Sequence, residues 1–434
     1  MKTYVVTSAQ YDAKPNKQFL DSLDTYCSHN SAEVLVIPVA GATASEETLD
    51  DRILEYEQVQ GNKKLNSNVK ISAYEIRPQQ IDPTTGLARF AQNDASTIFG
   101  STKQRLKVVP NSNTKLPKIL VTTGAVTHPN YANNRVGRIA EKDHTYGAVI
   151  VEVIDNALYH LRHISAQKNG KFYDLARLYD GKKEPRQVQP EALILGDWHT
   201  GDTDKTVREQ TSKMFKEMMP KRVFVHDIFN GHSINHHEEG RAIDLYNNKH
   251  RLNLEEEVRN VGKELEWMAN ESNAEVYVVK SNHDEWLHQY LNEGRFINDT
   301  QNLKLAAETL VDVLNGKDAL ESAIENVYGA IDGVKFLKRD DDYKIRGWQL
   351  ANHGDHGANG ARGSIRTIEA ANGKSIVGHR HTPEIFRDVV IVGTSTKLKL
   401  SYTKGYSGWM NSHCLLYDNG RPQMINIIRG RYSG

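Results

Sequence analysis

The sequence has few cysteines and no long apolar run. Its 434 residues include two cysteines, Cys27 and Cys414, which lie far apart in the chain. Two distant cysteines form neither the disulfide framework of a small secreted domain nor a cysteine-based zinc ribbon. No apolar run approaches the roughly 20 residues that a membrane helix needs, so no membrane partner is expected. The N-terminus becomes polar too soon for a signal peptide, and the cytoplasm is therefore the expected location.

The chain also lacks a net charge, because 55 Lys and Arg residues balance 55 Asp and Glu residues. No overall electrostatic field attracts it to nucleic acid or to a membrane surface. Binding to nucleic acid would therefore require a local basic groove. Hydrophobic residues at 38% and charged residues at 25% describe an ordinary globular protein, long enough for two or three domains. The unusual count is 18 histidines, many of them between His199 and His381.

Strand and helix patterns predict an α/β protein in two parts. Strands at 4–7, 34–37, 118–122, 148–153 and 158–163, with a helix at 17–26, predict an N-terminal α/β domain over residues 1–187. Residues 41–115 are polar and remain unassigned. The charged, proline-containing stretch 181–187 is typical of a linker, and residues 188–434 form the second predicted domain. A helical insertion at about 293–345, interpreted as a lid or spacer, interrupts that second domain.

The second part repeats one arrangement three times: a short apolar strand that ends in polar residues. The strand at 191–195 leads into Gly196-Asp197-Trp198-His199, the strand at 222–225 ends at His226-Asp227, and the strand at 275–279 leads to Asn282-His283-Asp284. Helices predicted at 206–219 and 252–270, the latter capped by Asn253, join them into parallel βαβ units. Ligands bind at this carboxyl edge in open α/β sheets.

An Asp-x-His pair such as Asp197 and His199 offers one carboxylate oxygen and one imidazole nitrogen, a combination suited to Mn²⁺, Fe or Zn²⁺. For a single pair, a buried Asp–His hydrogen bond is the common alternative. The repetition at three strand ends favours a metal site. Later β-rich stretches lead to His353 and to His379-x-His381, and a hairpin is predicted at 413–428.

In chain order these residues resemble the motifs of the calcineurin-like metallophosphoesterase superfamily, which are GDxH, GDxxD, GNH(D/E), an isolated His and GHxH. The resemblance covers about residues 191–430. It implies a four-layer α-β-β-α sandwich, with the N-terminal α/β domain as an addition for DNA binding or oligomerisation. It also implies two divalent ions, Mn²⁺ being expected and Mg²⁺, Fe and Zn²⁺ being alternatives, which use a bridging hydroxide for in-line attack on phosphorus.

The resemblance also assigns roles to individual residues. Asp197, His199 and His381 would hold one ion, Asn282, His353 and His379 the other, and Asp227 would bridge them. His283 would protonate the leaving oxygen or steady the transition state, and Asp284 could orient His283.

The sequence departs from the motifs without losing a ligand. His226 and Ser281 replace glycines, and Asn230 replaces the second Asp of GDxxD. Either His353 or His356 could be the isolated ligand, and His353 is favoured because it comes first after its strand.

Several features favour a nucleic-acid substrate. Residues 227–231 resemble the Asp-aliphatic-Phe segment of SbcD-type repair exonucleases, and segments 7–10, 122–127 and 147–152 resemble bacteriophage proteins joined to such domains. Among these are DNases that degrade host DNA. A glycine-rich loop before a helix starting near Ser364 could present N–H groups to a phosphate, although a plain mobile loop is equally compatible. The residues expected to contact substrate are Asn230, His236, His237, Arg362, Arg366 and Arg380; for the two histidines, a hydrogen-bonded loop is the alternative.

The predicted function is therefore a phage-type DNase acting in the host cytoplasm, with DNA as its partner and a homo-oligomer as a further prediction. A phosphatase or phosphodiesterase acting on a small phosphoester is the alternative. A binding scaffold without catalysis is disfavoured, because every ligand position is filled.

Overall fold

A computed structural model describes residues 1–41, 47–92, 94–112, 115–182, 184–235, 246, 253–400 and 403–433. The described part is a mixed α/β structure with four β-sheets. Its α-helices are Lys17–Asn30, Asp51–Leu54, Ala88–Gln92, Arg135–Lys142, Lys205–Met218, Leu254–Ser272, Asn282–Asn292, Leu303–Leu314, Ala319–Val327 and Ile365–Asn372. Short 3-10 helices lie at His232–Ile234, Arg295–Asn298 and Ala358–Gly360. Within these residues, no helix is both long and apolar enough to cross a membrane.

A six-stranded sheet, named here the central sheet, contains the predicted βαβ units. In spatial order its strands are Val334–Leu337, Glu275–Val279, Arg222–His226, Ala192–Ile194, Asn411–Leu416 and Pro422–Ile427. The first four run parallel to one another, and the last two form the predicted antiparallel hairpin. The strand Val334–Leu337 falls inside the stretch 293–345, which was expected to be a helical insertion and which contains two α-helices and one 3-10 helix.

The helices between the parallel strands form where their caps and apolar spacing predict. Asn253 accepts a hydrogen bond from the backbone N–H of Glu256 and so caps the helix Leu254–Ser272. Asp204 caps the helix Lys205–Met218 in the same way, through the N–H of Thr206. Both helices bury one apolar stripe against the central sheet.

A ten-stranded sheet, named here the long sheet, joins strands from both halves of the sequence. Its strands in spatial order are Lys344–Ile345, Trp348–Gln349, Ser375–Val377, Val389–Ile391, Glu384–Phe386, Ser101–Val109, Lys118–Gly124, Ser96–Phe99, Val69–Ser72 and Asn62–Lys64. Glu384–Phe386 pairs with Ser101–Val109 and connects the two halves. The domain boundary at residue 187 stays a prediction, and strands from both sides of it share this sheet.

The N-terminal residues also form two smaller sheets. The five-stranded sheet has the order Tyr159–Ser165, Gly147–Val153, Lys2–Gln10, Ala32–Val39 and Glu57–Gln58, and the three-stranded sheet consists of Phe172–Asp174, Arg177–Tyr179 and Arg186–Gln187. The predicted strands and helix of this region are confirmed. Six strands lie within the described residues of 57–124, and the sequence left all but one of them, Lys118–Gly124, unassigned.

Strand alternation places the core on both faces of the central sheet. Ile194, Phe224 and Tyr277 point towards the long sheet and share an apolar core with its residues Ile376 and Val390. Their neighbours in sequence face the other way, onto the two capped helices; among them are Leu193, Val223 and Val276. Each fully buried side chain of this size contributes roughly 1.5–3 kcal/mol, so the two cores fix the strand ends relative to each other.

Candidate metal centre

The predicted ligands meet where the strands of the two facing sheets end. Asp197 and His199 follow the strand Ala192–Ile194, and Asp227 follows Arg222–His226, because parallel strands present their carboxyl ends at the same edge. From the long sheet, the strand Ser375–Val377 leads directly to His379 and His381. The packing of the two sheets therefore brings together residues that are up to 184 positions apart in sequence.

Close backbone approach is what allows the two sheets to meet here. Gly378 lies against Asp197, and a Cβ atom at that position would be 2.2 Å from the Asp197 Oδ1 atom. The backbone N–H of His379 donates a hydrogen bond of 3.0 Å to the same oxygen. The glycine before His379 is thus required by contact with the opposite sheet, and it fixes the orientation of the Asp197 carboxylate.

The backbone itself is strained at this site. His199, Asp227, His379 and His381 have positive φ angles of 48°, 46°, 72° and 54°. Such left-handed conformations are uncommon for residues other than glycine and cost of order 1–3 kcal/mol each when they are unfavourable. The surrounding packing holds them, and this strain is characteristic of functional sites.

Four buried side chains form one tight group: Asp197, His199, Asp227 and His381 each place one ligand atom within 4.8 Å of the others. The Nε2 atom of His381 lies 3.1 Å from Asp197 Oδ2 and 3.1 Å from His199 Nε2. His199 Nε2 is in turn 3.5 Å from Asp227 Oδ2. A buried group of carboxylate and imidazole ligands at these distances can bind a metal ion.

Three further predicted ligands lie beside this group. His353 Nε2 is 3.1 Å from Asp227 Oδ2, the same oxygen that faces His199. His379 Nδ1 is 3.2 Å from Asn282 Oδ1, and the His353 and His379 rings have centroids 5.2 Å apart. The Asp227 carboxylate therefore stands between two sets of nitrogen and oxygen donors.

The unsatisfied polar atoms test whether these residues fit a metal ion. Among the described residues, Asp197 Oδ2, Asp227 Oδ1 and His353 Nε2 are buried without a well-formed hydrogen bond, and so are the Nδ1 atoms of His199 and His381. Buried polar groups in native proteins almost always have partners, so a cluster of such atoms requires an explanation. Divalent ions bound in the group would satisfy the two carboxylate oxygens and His353 Nε2, so these residues fit a metal site. His199 and His381 face the group with their Nε2 atoms, so their Nδ1 atoms lie on the other side of the rings and are not part of this test.

The electrostatics of the site also favour a bound cation. Burial alone would raise the pKa of Asp227, but the charges of His353 and neighbouring imidazoles outweigh it and hold that pKa well below its usual range. Burial would likewise lower the pKa of His353, yet Asp227 and Asp197 raise it to about 9. Burial lowers the pKa of His199 to about 3, which keeps this imidazole neutral and able to act as a ligand.

The structure distinguishes His353 from His356. His353 is fully buried beside Asp227, whereas His356 is exposed and its Nδ1 atom lies 3.2 Å from Asp355. His226, which the sequence marked only as a departure from the motif, is buried with its Nδ1 atom 3.3 Å from His353 Nδ1. His226 was not identified from the sequence as a neighbour of the ligands. Its position directly before Asp227 could have indicated this.

His283 lies next to the ligands and is held by the backbone. Its Nδ1 atom is 2.8 Å from the carbonyl oxygen of Asn230, and its ring centroid is 4.7 Å from that of His199. Because a carbonyl oxygen only accepts, Nδ1 carries the proton and Nε2 is the nitrogen left for chemistry. Burial lowers the pKa of His283.

The sequence suggested that Asp284 could orient His283, but the structure shows a different role for Asp284. Its carboxylate accepts a hydrogen bond of 2.9 Å from the N–H of Ser281, in a capping box that starts the helix Asn282–Asn292. The carbonyl group of Asn230 has the orienting role instead. Burial raises the pKa of Asp284 to about 7.

The predicted substrate-contacting residues occupy different environments. Arg362 lines a cleft together with Asn282 and His379. Arg380 is exposed and pairs with Glu384 at 2.9 Å, and Arg366 is exposed with its guanidinium 5.5 Å from the centroid of the Phe386 ring. His236 and His237 lie outside the described residues.

The side chain of Asn230 is committed to a hydrogen-bond network. Its Nδ2 atom donates to Asp202 Oδ2 at 2.8 Å, and His232 Nε2 lies 2.9 Å from the same oxygen. Glu257 accepts hydrogen bonds from the backbone N–H groups of His232 and Ser233. This network supports the loop that carries Asp227 and Asn230, and it was not predicted because its members are spread over three separate segments of the sequence.

Comparisons with known proteins give one relative of nearly full length. No protein-family model matches the chain. The chain is similar to "Protein A1" of Escherichia phage T5, with 26% identity over 472 aligned positions that cover 99% of this chain and 83% of that protein. A solved crystal structure aligns with 55% of this chain and 99% of that structure's chain, at 11% sequence identity. Its TM-score of 0.31 is too low to indicate a shared fold.

Proposed function

We propose that this protein is a two-metal phosphodiesterase of the calcineurin-like type that cleaves DNA. The observation that carries the proposal is the position of Asp227, whose Oδ2 atom faces His199 at 3.5 Å and His353 at 3.1 Å. A carboxylate that faces two donor sets would be shared by two divalent ions bound there. The central and long sheets, with helices packed on the outer face of each, would form the four-layer sandwich of this family.

Each of the two donor sets would hold one ion. Asp197, His199 and His381 supply the first set, and Asn282, His353 and His379 supply the second, with Asp227 common to both. Mixed oxygen and nitrogen donors suit Mn²⁺, while Fe, Zn²⁺ and Mg²⁺ are alternatives. Divalent ions, when bound at these positions, would neutralise charge on a phosphate and lower the pKa of a bound water.

His283 donates a proton to the leaving group. The Asn230 carbonyl fixes its tautomer, so that Nε2 can hold a proton and pass it to the leaving oxygen. The pKa of His283 is lowered by burial, and the approach of a phosphate dianion or diester to this nitrogen would favour its protonated form. Trp286 packs against the ring, with centroids 4.0 Å apart, and limits its rotation.

Arg362 positions the sugar-phosphate backbone of the substrate. It lines the same cleft as Asn282 and His379, so its guanidinium can contact a phosphate oxygen next to the one that is attacked. A cleft with an arginine beside the ligands suits a polymer that continues beyond the reacting phosphodiester. This is the support for DNA as the proposed substrate. The similarity to a phage protein supports only the proposed place of action, the cytoplasm of an infected host.

A metal and activity measurement tests the proposal. Purified protein should contain or take up two divalent ions per chain by inductively coupled plasma mass spectrometry, and with Mn²⁺ it should hydrolyse bis-p-nitrophenyl phosphate. An Asp197→Ala/His381→Ala double variant, which lacks two of the three donors of the first set, is the matched control. It should bind fewer than two ions per chain and hydrolyse the diester more slowly than the wild type. Wild-type protein that binds no divalent ion, or that hydrolyses no phosphodiester with Mn²⁺, Mg²⁺, Fe²⁺ or Zn²⁺, would refute the proposal.

A second assay addresses the substrate. Degradation of linear and circular double-stranded DNA, each incubated with Mn²⁺ or Mg²⁺, separates exonuclease from endonuclease action. If the protein hydrolyses the small diester but degrades neither DNA, the proposed DNase function is wrong and the alternative, a phosphoesterase acting on small substrates, takes its place.

A further inference from the structure

A second cavity lies at the edge of the long sheet opposite to the metal centre. It has a volume of about 330 Å³ and is lined by residues that precede or begin parallel strands, including Trp348, Lys374 and Asp388. His353 and His379 follow the carboxyl ends of these strands. At about 3.3 Å per residue, a three-residue strand separates the two sites by roughly 10 Å. The cavity is therefore distinct from the metal centre.

Basic side chains dominate the lining of this cavity, named here the basic pocket. Five of its lining residues are Arg or Lys, against two carboxylates, Asp143 and Asp388. The five are Arg105, Lys142, Lys374, Arg387 and Arg421. In the part of the chain that the structure describes, Lys142, Lys374 and Arg421 have no carboxylate within ion-pair distance. The pocket thus carries a surplus of positive charge, although the whole chain carries none.

Arg105 gives the pocket a buried cationic group. Its side chain is almost wholly buried, and one guanidinium nitrogen lies 3.2 Å from Asp143 Oδ2. Arg387 contacts the other oxygen of the same carboxylate at 3.3 Å, so Asp143 is shared between two arginines. Within the described ranges, no acceptor reaches Arg105 Nε. Burial lowers the pKa of Arg105 and the attraction of Asp143 offsets only part of that effect, so a further anion would stabilise the guanidinium.

Part of the lining of the basic pocket is apolar. Trp348 is buried, and its Nε1–H group donates a hydrogen bond of 2.8 Å to the carbonyl oxygen of Gly420. Ile385, Pro422 and Met424 are further apolar residues of the lining. A cavity of this volume, lined by both apolar and basic side chains, matches the size and character of sites for small organic ligands.

From this arrangement we infer that the basic pocket binds a phosphorylated small molecule of nucleotide size, with its phosphate among Arg105, Lys374 and Arg421 and its apolar part against Trp348. The basic residues of the pocket come from different regions of the sequence: Arg105 lies on the strand Ser101–Val109 and Arg421 lies just before the strand Pro422–Ile427. Ligand binding would therefore clamp the two halves of the chain together.

Titration calorimetry with the full-length protein tests this inference. The ligands are thymidine 5′-monophosphate, thymidine and inorganic phosphate, in buffer with EDTA so that no divalent ion contributes to phosphate binding. Wild-type protein should bind the monophosphate at least tenfold more tightly than either thymidine or inorganic phosphate. Arg421→Ala and Lys374→Ala, both at exposed positions, should each weaken binding by about tenfold, the effect of losing one hydrogen bond to a charged group.

Lys304→Ala is the matched control, because it removes one exposed positive charge from a helix that does not line the pocket. Thermal melting confirms that each variant is folded. Absence of monophosphate binding would overturn the inference, and so would equal weakening by Lys304→Ala. Inorganic phosphate that binds as tightly as the monophosphate would overturn the nucleotide-size ligand. A single-stranded 20-mer that binds ten times more tightly than the monophosphate and loses this affinity in Arg421→Ala would assign the pocket to DNA instead.

Discussion

Replacing Asp227 by asparagine removes the charge that the two donor sets share while keeping the size of the side chain. Asp227 is 2% exposed, and its Oδ2 atom is within 3.5 Å of imidazole nitrogens on both sides. An amide oxygen can still coordinate weakly, but it brings no negative charge between two cations. We therefore expect the loss of affinity to affect both ions rather than one.

The expected magnitude follows from the role of this carboxylate. Charge stabilisation by metal ions contributes several kcal/mol to a transition state, and each 1.36 kcal/mol is a factor of ten in rate. Weakening the shared ligand should lower kcat/KM by at least about 100-fold. Replacement of a ligand that serves a single ion, such as His381→Asn, should leave one ion bound, whereas Asp227→Asn should lower the occupancy of both.

The assay is hydrolysis of bis-p-nitrophenyl phosphate over a Mn²⁺ series, with metal content measured on the same samples. Asp204→Asn is the matched control: it makes the same chemical change at a helix N-cap, where asparagine and aspartate serve equally well. It should keep wild-type activity. If Asp227→Asn keeps more than about a tenth of the wild-type rate with two ions bound, Asp227 is not the shared ligand and the two-metal interpretation is wrong.

Three further predictions concern the proton donor, the phosphate contact and acid stability. His283→Ala should keep both ions but lower kcat by roughly 10²–10⁴, the usual contribution of a general acid; loss of metal in this variant would instead make His283 a ligand. Arg362→Ala should weaken DNA binding by a metal-site variant for all sequences and reduce the log–log salt slope by about one, whereas Arg366→Ala, which lies outside the cleft, should have less effect; equal effects would refute the cleft contact. His163, buried with a pKa of about 4 and bonded to the Thr122 carbonyl, is neutral when folded, so the unfolded chain binds more protons below about pH 6.5. The free energy of unfolding from urea titrations should therefore fall as the pH drops from 6.5 to 4, and less steeply in His163→Gln; identical slopes would contradict this.

Local features of the chain were readable from the sequence because their causes act over a few residues. The helix Leu254–Ser272 begins where Asn253 can cap it and continues as long as apolar residues recur every three or four positions. The strand Glu275–Val279 is a short apolar run that ends at polar residues. Alternation of such elements predicted the parallel strands of the central sheet and the edge at which Asp197, Asp227 and Asn282 meet.

Only the tertiary structure decided which of several similar residues share a site. His353 and His356 stand in nearly the same local sequence, yet one is buried beside Asp227 and the other is exposed beside Asp355. Asp284 follows His283 directly, but the helix start takes its carboxylate, and the Asn230 carbonyl, 53 residues away in sequence, orients the imidazole. These outcomes depend on how two sheets pack, which no local pattern encodes.

The same reason explains the long sheet and the basic pocket. The pairing of Glu384–Phe386 with Ser101–Val109 joins strands separated by more than 270 residues, and neither strand carries a signal for its partner. Arg105 and Arg421 are ordinary arginines in the sequence, and they become a cationic pocket only when those strands and the hairpin turn come together. The sequence by itself determined the elements and the chemistry at their ends; long-range packing, which depends on the summed shape of the buried faces, decided the neighbours.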